Sequence, residues 1–429
     1  MKSPKLRPSK KLYPVSLGCP KNKSDFEKLL YLFQKRGYTF TLDPEEADIL
    51  WVNTCAFIKP SVEEAIDHIL DLASLKKGSQ KLIVSGCLPA RYSLETLREL
   101  LPEVDEFYGI EPFQFFTKEE PEDKVLTESP FYAYLKISEG CNHRCSYCTI
   151  PKIRGSYRSK PLESLLREAR KLLEKGIKEL ILVGQDLTLY GRDLGLKDGL
   201  LYLLKELSLL PFEFRIRLLY LHPSHLEEGL LERILELPKV VPYLDIPIQH
   251  AHPNLLKAMK RPYSPEKILN LMEHVRKLNP MVSFRTSLIV GFPGEGDKEF
   301  AYLLEFLKLA KFEYLGVFPF YPEEGTPAEK LPGQIPMKER LRRKREVLRL
   351  QKEITKARLK ERVGVEEELL VLGEDFKGRR FGIARLQAPE IDGLTYLLKG
   401  SHLPGSLVKV KITRSGVYDL WAVPWDFKG

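Results

Sequence analysis

The chain is poor in cysteine, tryptophan and methionine, with six, three and five of them in 429 residues. So few cysteines in so long a chain exclude a disulfide framework and leave metal or redox use. No stretch approaches the roughly 20 apolar residues that cross a bilayer, which excludes a membrane-spanning helix and a membrane role. The basic N-terminus, Met1 to Lys11, lacks a following apolar segment and does not read as a secretory signal. A reducing, cytoplasmic setting is expected. There is no internal repeat and no low-complexity tract. Asn and Gln are scarce beside Lys, Glu and Arg, a balance that leans toward a thermophile. With 43% apolar and 30% charged residues the chain can bury sizeable cores. Its length calls for two or three domains.

The cysteines that are present divide into two threes. Cys141, Cys145 and Cys148 lie within eight residues, Cys141-Asn142-His143-Arg144-Cys145-Ser146-Tyr147-Cys148. The spacing C-x3-C-x2-C can hold three irons of a four-iron cluster and leave the fourth open. A structural zinc would close its tetrahedron with a fourth protein ligand. His143, inside the loop, is the only nearby candidate, so a zinc site needs a distant ligand and stands as the competing reading. The other three cysteines each end a short apolar run. Tyr13 to Leu17 leads into Gly18-Cys19, Ile49 to Val52 into Asn53-Thr54-Cys55, and Leu82 to Val84 into Ser85-Gly86-Cys87. Helix-like stretches, Asp25 to Arg36 and Ser61 to Ala73, separate them. This β-α-β-α-β rhythm implies parallel strands. Ligands bind beyond the carboxyl ends of such strands, so the three thiols converge on one rim. Each alone would read as a buried free cysteine; together they form a second three-thiolate site.

Strand–helix alternation resumes further on. Candidate strands are Tyr132 to Ile137, Glu179 to Val183, Phe214 to Tyr220, Tyr243 to Ile248, Ser283 to Val290 and Tyr314 to Phe318, with helices such as Leu162 to Leu173 and Asp297 to Leu309 between them. Six such units predict an incomplete TIM-type (β/α)6 barrel with its site at the strand C-termini. The triple-cysteine loop follows the first strand. From Lys338 to Arg362 twelve Lys/Arg face four Asp/Glu, a net of +8. Val347, Leu350, Ile354 and Ala357 recur there at helical spacing, as a narrow docking stripe. This basic helix is either a solvated linker or a surface for nucleic acid or a ribonucleoprotein. Beyond it, Leu369 to Leu372, Thr395 to Leu398, Leu407 to Ile412 and Asp419 to Val423 read as strands of a small antiparallel OB-like barrel. The expected fold is therefore α/β, in four parts: an N-terminal parallel α/β domain (10–125), the barrel (127–335), the basic linker helix (336–362) and the small barrel (363–429).

The cysteine loop, with Tyr147 before its last thiol, resembles the signature of radical S-adenosylmethionine (SAM) enzymes. By that resemblance the open iron is chelated by SAM and the cofactor carries the chemistry. Tyr147 then lies near the adenine, and Gly184-Gln185-Asp186, after the second barrel strand, sets a backbone edge against the SAM amino group. Gly291-Phe292-Pro293-Gly294-Glu295 resembles the family's Gly-x-Pro-Gly-Glu segment, whose glycines permit close backbone approach. Arg285 is a candidate for a carboxylate, or equally a structural ion pair. Gln249 and His250 close the fourth strand as candidates for SAM ribose or substrate, or as satisfied structural polars. Arg215 and Arg217 share a strand face and are open between substrate binding and packing.

Over nearly its whole length the chain looks like the methylthiotransferase family, which joins a three-cysteine N-terminal domain, a radical SAM barrel and a C-terminal TRAM domain. The resemblance implies two [4Fe–4S] clusters, on Cys141, Cys145 and Cys148 for SAM and on Cys19, Cys55 and Cys87 as the auxiliary one. The reaction it implies replaces C–H by C–S–CH3, with sulfur delivered through the auxiliary cluster and methyl from a second SAM. Gly18-Cys19-Pro20-Lys21-Asn22, Glu139-Gly140-Cys141-Asn142 and Ala388-Pro389-Glu390-Ile391-Asp392-Gly393 are similar to the branch acting on an aspartate β-carbon of ribosomal protein S-twelve. Ser24, Phe26 and Thr149 depart from that pattern and affect only local packing. The partners implied are that protein, an electron donor such as flavodoxin or ferredoxin, and ribosomal RNA at the basic helix and TRAM domain. The alternatives are the transfer-RNA adenosine branch and, in another class, a non-enzymatic metal-containing nucleic-acid-binding protein.

Overall fold

The computed structural model describes residues 10–426. Most of the basic N-terminal segment and the last three residues of the expected C-terminal domain lie outside the described residues. The chain forms two compact units. One gathers the residues up to Thr127 with Glu139–Asn142 and Cys148–Tyr157; the other gathers Glu128–Ser138, His143–Tyr147 and the chain from Arg158.

The first unit is built on five parallel strands: β1 (Lys11–Ser16), β2 (Thr39–Phe40), β3 (Ile49–Thr54), β4 (Lys81–Gly86) and β5 (Glu106–Tyr108), in the order β2-β1-β3-β4-β5. The sequence pattern points to only three of them. β2 and β5 are two and three residues long and sit at the edges, where no continuous apolar run is needed. Successive side chains of β3 alternate between the two faces. Leu50 and Val52 pack with Ile69 and Leu72 of the helix Lys59–Leu75, while Trp51 packs with Phe26, Leu29 and Phe33 of the helix Pro20–Lys35. The latter helix starts five residues before the expected Asp25, because Pro20 takes its first turn, where a missing N–H costs nothing. Ser16 pairs with Asn53, and Asn53 with Ser85, so three central strands end level with one another.

The second unit contains six parallel strands in simple chain order: β6 (Tyr132–Lys136), β7 (Glu179–Val183), β8 (Arg215–Leu218), β9 (Val240–Asp245), β10 (Ser283–Val290) and β11 (Tyr314–Pro319). This is the expected incomplete barrel. Five further strands close a small barrel: β12 (Glu366–Glu374), β13 (Arg380–Ala384), β14 (Thr395–Leu397), β15 (Leu407–Ser415) and β16 (Leu420–Pro424). All its pairings are antiparallel except β14 with β16. β13 escapes the sequence pattern. Its Gly382, which reads as a turn residue, is a crossing point where a Cβ would come within 2.0 Å of the Leu370 carbonyl oxygen.

The basic helix, Met337–Lys360, does not dock by the stripe its sequence predicts. Val347 is buried, but Leu350 and Ile354 are only half-buried and Ala357 is exposed. The buried face carries Arg340, Arg343, Gln351, Thr355 and Leu359. Polar side chains replace apolar ones because they meet buried groups: Arg358 pairs with Glu313 at 2.7 Å, and Gln351 donates to the Phe312 carbonyl at 2.7 Å. Several of the twelve cations thus face inward, and the surface charge is smaller than the count implies.

Candidate active site

In the first unit the three level strands each hand over to a cysteine. Cys19 caps the helix Pro20–Lys35, Cys55 follows β3 directly, and Cys87 opens the short helix Cys87–Arg91 after β4. Polar residues beside them in the chain lock the rim. Asn22 Nδ2 donates to the Thr54 carbonyl at 2.8 Å, Asn53 Nδ2 to the Asn22 carbonyl at 3.2 Å, and Thr54 Oγ1 to the Ser85 carbonyl at 2.6 Å. Gly18 is required here, since a Cβ would lie 2.3 Å from Asn22 Nδ2.

All three cysteines are free thiols, and they act on one another. Burial pushes the Cys19 thiol up, but Lys21, Arg154 and the amide N–H groups of Asn22 and Lys21 outweigh it and bring it below the ordinary range. Burial and then the neighbouring Cys19 raise Cys55; burial pushes Cys87 up to about 11 although Arg154 opposes it. Arg154 is itself buried. Its Nη1 donates to both oxygens of Glu139, at 3.0 and 2.9 Å, and its Nη2 donates to Cys87 Sγ at 3.6 Å. Three converging thiols beside a fixed cation are a donor set that fits an iron–sulfur cluster with one open iron.

The Cys141–Cys148 loop is anchored along its length. The Cys141 amide donates to the Gly155 carbonyl at 3.0 Å, and in the second unit Ser146 Oγ donates to the Ala258 carbonyl at 2.7 Å. Arg261 Nη1 donates to Cys145 Sγ at 3.8 Å. Tyr147 is half-buried against Leu255, Met259, Phe292 and Phe320. Asp186 does not reach outward. Its Oδ2 accepts from His143 Nε2 at 2.8 Å and from His225 Nδ1 at 3.3 Å, and its Oδ1 accepts from the Thr188 amide at 2.9 Å. Burial opposes its ionisation, yet these donors hold the carboxyl below its usual range. The His222 ring stacks on His143 with centroids 4.0 Å apart. Burial, then Arg261, keep His222 uncharged at neutral pH.

Two open readings are narrowed and one expectation changes. Arg285, expected at the SAM carboxylate, is placed two residues after the start of β10. There it donates to Asp245 Oδ1 at 3.1 Å and lies 3.6 Å from Asp392 Oδ1 of the small barrel. Its structural reading prevails. Arg215 and Arg217 both grip the buried Glu179 and donate to the carbonyls of Ile383 and Arg385, each at 2.9 Å. They dock the small barrel. Gly291, expected against cofactor, has φ +72° and faces Arg340, whose Cγ would be 2.3 Å from an added Cβ. Glu295 closes that turn on the Gly291 amide at 2.7 Å and pairs with Arg343 at 2.9 Å. Gln249, four residues beyond β9, is half-buried at φ +65° and bridged to Leu288 of β10. His250 is buried 3.5 Å from Glu295. Sequence reasoning missed Arg154, Arg261 and the Asp186–histidine cluster. The first has a signal: Pro151-Lys152-Ile153-Arg154-Gly155 directly follows the last cysteine's turn.

Three family models match stretches of the chain. A Radical SAM superfamily model matches residues 135–307, Uncharacterized protein family UPF0004 matches 11–109 and a TRAM domain matches 363–424. The chain is 42% identical to "Ribosomal protein uS12 methylthiotransferase RimO" of Carboxydothermus hydrogenoformans, over 96% of this chain and 98% of that one. Against the protein of the same description from Syntrophus aciditrophicus it is 44% identical, over 95% and 97%. The chain belongs to the RimO family. It is a radical SAM methylthiotransferase, and that superfamily carries a [4Fe–4S] cluster and SAM. The RimO family assignment also accounts for the fold. A radical S-adenosylmethionine methyltransferase, TsrM from Kitasatospora setae, superposes with a TM-score of 0.53 at 14% identity, over 75% of this chain and 77% of that one. No helix among the described residues is long and apolar enough to cross a membrane.

Proposed function

We propose that this RimO-family enzyme adds a methylthio group to the β-carbon of an aspartate in small-subunit ribosomal protein uS12, in the cytoplasm. The observation that carries the reading is the second cysteine set: Cys19, Cys55 and Cys87 at the level ends of three neighbouring strands. Cys141, Cys145 and Cys148 hold the SAM cluster in this reading, and the second set holds an auxiliary [4Fe–4S] cluster. When bound, these groups would supply the adenosyl radical that removes hydrogen, the incoming sulfur and, from a second SAM, the methyl group.

The chain's own residues bind and orient. The backbone edge at Gly184, Gln185 and Asp186 receives the SAM amino group, Tyr147 lies against the adenine, and Gln249 faces the ribose or substrate. Arg285 has no part in this. The N-terminal domain (10–125), radical SAM core (127–335), basic helix (336–362) and TRAM domain (363–429) divide the work. The outward cations of the helix and the TRAM domain approach ribosomal RNA, while flavodoxin or ferredoxin feeds electrons. Anaerobic enzyme with SAM and reductant, offered uS12 and transfer RNA in parallel, tests the substrate. A methylthio mass gain on the uS12 aspartate is expected. Gain on transfer RNA alone would replace this reading by the transfer-RNA branch.

A further inference from the structure

Arg154 lies six residues after Cys148, on the short helix Ile150–Arg154. Its partner Glu139 lies two residues before Cys141. The flanks of one cysteine set therefore deliver a buried guanidinium to a sulfur of the other. The cation is 3% exposed, grips Glu139 with Nη1, lies 3.6 Å from Asp25 and donates Nη2 to Cys87 Sγ at 3.6 Å.

We propose that Arg154 is a positioning residue that sets the reduction potential of the auxiliary cluster, a step that rests on the cluster reading above. A reduced cluster carries one more negative charge than an oxidised one. A fixed cation and an N–H···S bond at a ligand sulfur stabilise the reduced form and raise the potential. Burial makes the effect large, because water does not screen it. Glu139 works in the opposite sense by neutralising part of the same charge. Arg261 on Cys145 is the corresponding donor of the first set, so each cluster has its own arginine. Removing one leaves the other in place.

The test is a redox titration of the full-length protein carrying both clusters, followed by electron paramagnetic resonance. Added SAM marks the signal of the first cluster and leaves that of the second. Arg154→Gln is expected to move the second signal to more negative potential. Arg154→Lys, which keeps the charge and loses the fork, moves it less. Glu139→Gln moves it the other way, to more positive potential. The first signal stays in place in the Arg154 variants, and in Glu139→Gln, two residues from Cys141, the reading is the sign of the second signal's shift. A purely structural Arg154 would lower stability in the variants and leave both potentials unmoved, which overturns the proposal. Should Arg154→Gln fail to fold, Arg154→Lys and Glu139→Gln still decide by their opposite signs. Iron and sulfide for a single cluster would sink the cluster reading and this proposal together. Two clusters indifferent to both residues would sink the proposal alone.

Discussion

Tyr243 donates its hydroxyl to Asp392 Oδ2 at 2.6 Å, tying β9 of the six-stranded barrel to the TRAM segment Ala388–Gly393. Glu390, two residues earlier, accepts from Tyr134 at 2.6 Å and Tyr132 at 3.1 Å on β6. Two carboxylates of one turn are thus received by tyrosines of two barrel strands. The segment is a docking key, which gives its branch-specific look a structural cause.

Burial raises the Asp392 carboxyl to about 6, against the help of Arg285 and Tyr243. A folded-state value above the unfolded one, about 4, means the folded state holds the proton more tightly. Its contribution is complete below about pH 4 and is lost as pH rises through about 6. The change is bounded at roughly 3 kcal/mol. The hydrogen-exchange protection of β12 to β16, corrected for the intrinsic rise of exchange with pH, is expected to fall across that window, and Asp392→Asn is expected to abolish the fall. An unchanged pH slope in the variant would refute the assignment.

Gly291 combines φ +72° with an Arg340 side chain where a Cβ would go. Gly291→Ala pays about 1–2 kcal/mol for the left-handed backbone, plus roughly 1–3 kcal/mol of overpacking. Thermal unfolding should show a clear fall in midpoint, while SAM affinity of the folded fraction stays close to wild type. Lost SAM binding with unchanged stability would restore a cofactor-facing role to this glycine.

In cluster-free protein the cysteines of the first unit should differ in reactivity. Cys19, lowered by Lys21, Arg154 and amide donors against its burial, should be alkylated first and at the lowest pH. Cys87, raised by burial to about 11 and itself buried, should be last. Peptide mapping after timed iodoacetamide treatment gives the order. Equal rates at all three would contradict the electrostatic picture.

The basic helix should separate into two kinds of cation. Arg358 pairs with the fully buried Glu313 at 2.7 Å, and Arg358→Ala removes the shortest of three arginine contacts to that carboxylate, with Arg276 and Arg362 remaining at 3.7 and 3.6 Å, at a cost of about 1–3 kcal/mol. Lys352 and Lys356 are exposed, and replacing both by Glu should change stability by less than about 0.5 kcal/mol. The double variant should weaken binding to the small ribosomal subunit and flatten its salt dependence. Unaltered binding would remove the helix from the interface.

What the sequence disclosed followed from periodicity and from cysteine. The strands behind Cys19, Cys55 and Cys87, the six-stranded barrel and most of the small barrel were legible because their apolar residues form short runs or alternate with polar ones. β2, β5 and β13 were not, being short, at an edge or carried by a glycine that reads as a turn. The docking face of the basic helix was hidden because its partners are buried carboxylates and carbonyls, which no hydrophobic stripe reports. Arg285 and Arg217 stayed open between ligand and packing for the same reason. An arginine on a barrel strand looks alike whether it faces a ligand or another domain, and only the position of Asp392 and Glu179 decides. Arg154 was close to legible, since it adjoins the cysteine loop, but its target lies more than sixty residues upstream in the chain.

Iron and acid-labile sulfide counts on anaerobic protein, before and after replacing Cys19, Cys55 and Cys87 by alanine, test the central claim most directly. The account predicts two [4Fe–4S] clusters in the parent and one in the triple variant. That variant should still cleave SAM reductively and no longer transfer a methylthio group. An iron count untouched by the triple replacement, or methylthio transfer that survives it, would contradict the account.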